Sequence, residues 1–141
     1  MDKNIKTIHY ESQRYQTCGD YWFDPETNIT EFRINSMGNE DYEFLVGIHE
    51  QIEEHLTRRK GIREQDIKAF DEMWEKELQE GLHNENEEPG HDPRAPYREY
   101  HVFAECIERL IASRMGVDWE AYDNSVMSSC DKHHPLDHEE K

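Results

Sequence analysis

The chain has 141 residues, with 33 Asp and Glu against 16 Lys and Arg, a formal charge of −17. That length predicts one domain, and that charge excludes direct, phosphate-dominated binding to nucleic acid. Hydrophobic residues make up 34% of the chain and charged residues 35%, yet 3 Trp, 7 Tyr and 5 Phe supply enough ring surface for a small core. No stretch approaches the roughly 18 consecutive apolar residues of a membrane-spanning helix. The first thirteen residues lack the apolar segment of a secretory signal. Cys18, Cys106 and Cys130 are odd in number and far apart. Reduced thiols in a cytoplasmic protein are expected, not a disulfide framework.

In chain order, residues 5–10 and 15–23 alternate loosely and are rich in Ile, Thr and aromatics. Asp24-Pro25-Glu26-Thr27-Asn28 is a turn cluster, and residues 29–34 alternate again. This predicts a β-hairpin joined by a further strand from the N-terminus. Asn39, with Glu40 and Asp41 behind it, opens a helix that Gly61 closes. A second helix is expected from Arg63 to Glu80, stopped by Gly81. Residues 83–96 hold three prolines and a glycine and must form a long loop. A third helix is expected from Pro96 to Met115, and a short fourth from Asp118 to about Val126. The predicted fold is α+β: a small N-terminal sheet, three main helices and a short last one, in a domain over residues 1–127. Residues 128–141 read as a flexible acidic and His-containing tail.

Each main helix carries a polar residue on its apolar side when residues are placed at about 100° per step. In the first, Leu45, Ile48, Ile52 and Leu56 form the stripe, His49 falls inside it and Glu53 stacks beside His49. In the second, Asp71 falls among Ile67, Phe70, Trp74 and Leu78. In the third, His101 and Glu108 flank Tyr97, Tyr100, Ala104, Ile107, Ile111 and Met115. A carboxylate facing a core needs compensation. His49, Glu53, Asp71, His101 and Glu108, aimed at one interior, make a ligand set for a divalent ion such as Zn, Mn or Fe. The plainer reading is that each is a hydrogen-bonded core residue or a solvated edge residue.

The run Phe44-Leu45-Val46-Gly47-Ile48-His49-Glu50-Gln51-Ile52-Glu53 resembles the active-site helix of zincin metallopeptidases, in which an apolar run leads into HExxH. A hairpin, then a His-Glu helix, then a later helix is similar to the small zincins of the ImmA/IrrE type. Residues 99–104, Glu-Tyr-His-Val-Phe-Ala, are faintly similar to the segment that supplies their third ligand. The resemblance implies His49 and Glu53 as ligands, Glu99 or His101 as the third, and Glu50 as the base that activates water. The chain departs from the family at position 53, where Glu makes the motif HExxE. The short acidic chain also has the general look of small phage or prophage proteins, although no motif carries that likeness.

Two functions are therefore expected to compete. One is a metal-binding, metallopeptidase-like hydrolase acting on a peptide or a small molecule such as a phosphoester or nucleotide. Glu50 is its catalytic residue, with Asp71 or Glu108 as a fourth ligand or an orienting group. The other is a non-enzymatic acidic protein that binds a basic host protein, as a DNA mimic or inhibitor. Its surface would be residues 72–88, with seven Glu and one Lys. Arg94, after His91 and Asp92, reads either as a rim group for an anionic substrate or as a brace for the loop.

Overall fold

The structure is a computed structural model that describes residues 2–129. It is α+β. Strands β1 (Asp2–Ile8), β2 (Gly19–Asp24) and β3 (Ile29–Asn35) form one sheet in the order β1-β3-β2. The expected hairpin is β2 and β3. Its turn is set by the Asp24 carboxylate, which accepts from the Glu26 amide at 2.9 Å, and by Asn28 at φ 62°. Asn tolerates that left-handed backbone better than most residues. The further strand spans 2–8 rather than 5–10 and runs parallel to β3. β1 is largely exposed and lacks an apolar alternation that would fix its place.

Four helices follow the sheet: α1 (Glu40–Lys60), α2 (Glu64–Gln79), α3 (Arg98–Met115) and α4 (Trp119–Ser129). Asn39 Oδ1 accepts from the Tyr42 amide at 3.1 Å and caps α1, and Gly61 ends it at φ 85°. α4 continues past Val126, and Asn35 Nδ2 donates to the Ser129 carbonyl at 3.2 Å. Residues 128 and 129 of the expected tail belong to α4, and the rest of it, from Cys130 on, lies outside the described residues. No helix among the described residues is long and apolar enough to cross a membrane.

The main core gathers Phe32 and Ile34 of β3, Leu45 and Val46 of α1, Ala112 of α3 and Tyr122 of α4. Each large side chain there contributes about 1.5–3 kcal/mol by leaving water. A second cluster joins Phe70 and Trp74 of α2 to Ala95 and Tyr97 of the loop before α3.

The phase of α1 differs from the expected one. Leu45 is buried, but Ile48, Ile52 and Leu56 are only half-buried and line an open groove with Phe103. The line buried against the sheet and α3 includes His49, Glu53 and Thr57. A polar line can take the inner position only because β2 and α3 supply it with partners.

Candidate metal centre

Helical spacing of four residues sets His49 and Glu53 one turn apart on one face of α1. Their nearest atoms, His49 Nε2 and Glu53 Oε2, are 3.0 Å apart. α3 runs antiparallel beside α1 and adds His101. Its Nδ1 lies 3.1 Å from His49 Nε2 and 2.9 Å from Glu53 Oε2. Three donor atoms thus form a nearly equilateral triangle. Ligands on bonds of about 2.1 Å are separated by about 3.0 Å on an octahedral face and about 3.4 Å on a tetrahedral one. A single ion seated over the triangle would meet all three.

The outer partners fit the same reading. The other nitrogen of His49, Nδ1, is hydrogen-bonded to Glu108, which also accepts from the Tyr122 hydroxyl at 2.5 Å. The other nitrogen of His101, Nε2, faces Glu88 at 3.3 Å. Each ring therefore rests one nitrogen on a carboxylate and turns the other toward the triangle. That arrangement fixes the tautomer and orientation of a metal-binding imidazole. The second oxygen of Glu53 accepts from the Tyr21 hydroxyl at 3.0 Å. Tyr21 reaches it because β2 sets Tyr21 opposite Phe32, on the face that meets α1.

Without an ion the same contacts are charge pairs. Burial pulls the His49 imidazolium down, but Glu108 and Glu53 outweigh it and hold the group well above its ordinary value. Burial acts likewise on His101, and Glu53 and Glu88 lift it to about 9. Burial pushes Glu53 up, yet the bonds from His101 and His49 hold it well below the usual range. Divalent ions bind neutral imidazole, so an ion entering here would displace protons.

Glu50 lies next to the triangle. Burial, then the charge of Glu53, push its carboxyl up to about 8, against the opposing pull of His49. It makes no hydrogen bond among the described residues. Its room comes from Gly19 of β2, where a Cβ would fall 2.7 Å from Glu50 Oε1. A second glycine acts in the same way. Gly90 sits in a 3-10 turn (Pro89–His91), and a Cβ on it would fall 2.5 Å from the His101 ring.

The candidate residues divide accordingly. His49, Glu53 and His101 converge, and Glu108 is the partner that orients His49. Asp71 is not in the triangle: it accepts from the Tyr97 hydroxyl at 2.6 Å, and burial lifts it to about 6. Glu99 is exposed on the first turn of α3 and outside the group. Arg94 braces the loop, donating to Glu77 at 2.7 and 3.0 Å and to Asp92. In the acidic run, Glu77, Glu87 and Glu88 have internal partners in Arg94, His83 and His101.

Sequence reasoning missed Tyr21, Tyr122, Glu88, Gly19 and Gly90. A strand tyrosine or a loop glycine carries no mark of the side chain it will meet. No family model, curated protein or solved structure matches the chain.

Proposed function

We propose that the chain binds a divalent metal ion through His49, Glu53 and His101 and acts as a metal-dependent hydrolase. One observation carries the metal reading: three convergent donor atoms, 2.9–3.1 Å apart, on rings whose outer nitrogens rest on carboxylates. Two imidazoles and one carboxylate suit Zn, Mn or Fe and leave coordination positions open. A bound dication would supply Lewis acidity and lower the pKa of water at those positions. Glu50 would take the proton from that water. Its half-buried side chain is committed to no other hydrogen bond among the described residues, and a dication beside it would favour its ionised form. Tyr21 and Glu108 hold Glu53 and His49 in place and do not touch substrate. Peptides and phosphoesters are the substrate classes to screen.

The test is metal content of full-length, chelator-free protein, beside Glu53→Gln and Glu50→Gln. Glu53→Gln should lose one equivalent of metal while keeping the circular dichroism of the parent. Glu50→Gln should keep the metal and lose hydrolysis of whichever substrate the screen identifies. Unchanged metal content in Glu53→Gln overturns the metal reading. Full hydrolytic activity in Glu50→Gln overturns the role of Glu50.

A further inference from the structure

His101 has a second neighbourhood on its outer edge. The 3-10 turn before α3 carries Glu88 and His91 to one side of the ring, and α3 itself carries Glu105 one turn after His101. His91 Nε2 lies 2.8 Å from Glu105 Oε2, and His101 Nε2 lies 3.3 Å from Glu88 Oε1. One ligand atom from each of Glu88, His91, His101 and Glu105 lies within 4.8 Å of the others. Ligands of one ion on bonds of about 2.1 Å are at most about 4.2 Å apart. The ion-free spread exceeds that limit by at most about 0.6 Å.

Two features separate this group from an ordinary acidic patch. It holds two imidazoles, which select for transition-type dications over simple counterions. It is also assembled by a close backbone approach: Gly90 is buried, and its lack of a Cβ lets the turn press against the His101 ring. The His91 and His101 rings meet edge to face at 5.3 Å. Two carboxylates would neutralise a dication. The side chains of His91, Glu88 and Glu105 are 42%, 28% and 25% exposed, so an ion could enter and keep water ligands.

We infer that Glu88, His91 and Glu105 form a second divalent-cation site against the outer edge of His101, beside the first. This inference rests on the proposed metal centre for its neighbour, not for its own ligands. With both sites filled, His101 bridges the ions as an imidazolate, Nδ1 toward one and Nε2 toward the other, the second ion displacing the ring's remaining proton to solvent. Ring nitrogens about 2.2 Å apart, with bonds of about 2.1 Å on each side, place the ions on the order of 6 Å apart. The outer ion ties the Glu88–His91 turn to α3.

The experiment is equilibrium dialysis against Zn²⁺ alone, with metal counted by mass spectrometry. Every protein is full-length and carries Cys130→Ser, His133→Ala, His134→Ala and His138→Ala, so that these groups bind nothing. Two equivalents are expected in this parent, one in His91→Ala, one in Glu105→Gln and one in Glu53→Gln. The solvent exposure of His91 makes its removal safe for folding, and Glu105→Gln keeps the side-chain shape. One equivalent in the parent, kept in His91→Ala and lost in Glu53→Gln, overturns the outer site and leaves the inner one standing. One equivalent lost in His91→Ala and kept in Glu53→Gln does the reverse. One equivalent lost in both variants means a single ion and overturns the separate outer site. No bound zinc in the parent overturns both.

Discussion

Two charged networks brace the loop between α2 and α3, and they use different cations. The outer one centres on Arg94, whose guanidinium grips Glu77 and Asp92, with His83 between Glu77 and Glu87. The inner one joins Glu53, Glu108 and Glu88 through His49 and His101, with Tyr21 and Tyr122 as added donors. Guanidinium keeps its charge at every accessible pH and has no lone pair to give. Imidazole can surrender its proton and offer a lone pair in its place. A network built only to hold a loop is served by the first kind. A network of the second kind, closed around three converging donors, is suited to exchange its protons for a metal ion.

The comparison can be broken most severely at Glu108. Glu108→Gln keeps the volume but no longer dictates which His49 nitrogen carries the proton. Zinc affinity should fall by about 10–100-fold in a competition titration. An unchanged affinity would make Glu108 a packing residue. The Tyr122 hydroxyl should matter less to metal and more to folding. Tyr122→Phe removes a buried donor to a carboxylate and should cost about 1–3 kcal/mol in urea unfolding. A loss smaller than that would show that another donor replaces the hydroxyl.

The smallest effect belongs to the outer network and is a pH effect. The bond to Glu77 raises the His83 pKa above its ordinary value; burial opposes it, and the bond to Glu87 adds to the rise. A raised folded pKa means that His83 adds stability fully below about 6.5, the unfolded value. That contribution is lost as pH rises through the higher folded value. The His83 ring stacks on Trp74 at 4.5 Å. Tryptophan emission should therefore change in step with this titration, and the change should vanish in His83→Gln. The same emission profile in both proteins would remove His83 as its source.

The ends of the helices were legible because they are written locally. Asn39, Gly61 and Gly116 cap or stop their helices through their own side-chain and backbone preferences. Of the candidate set, His49 and Glu53 share a face by helical spacing alone, and His101 shows on the flank of its own helix; that this helix lies against α1, while Asp71 turns elsewhere, is set by tertiary packing. The phase of α1 was not. Its apolar stripe suggests that Ile48, Ile52 and Leu56 face inward, whereas the buried line is the one that finds hydrogen-bond partners on β2 and α3. Those partners lie far away in sequence. The parallel pairing of β1 was hidden for a related reason: a strand with little buried surface carries no pattern to fix its neighbour or direction.

Gly19 and Gly90 bear on how this sequence can drift. Both walls of the centre are bare backbone at these points, one under Glu50 and one against His101. A ligand can be exchanged for another of similar chemistry, as Glu stands here where HExxH has His. No side chain, however small, replaces hydrogen without displacing the group it would strike. In a library of random variants, substitutions at Gly90, which strike the His101 ligand, should therefore be lost from a selection for metal retention, whereas substitutions at Gly19, which strike Glu50, should keep the metal and lose hydrolysis.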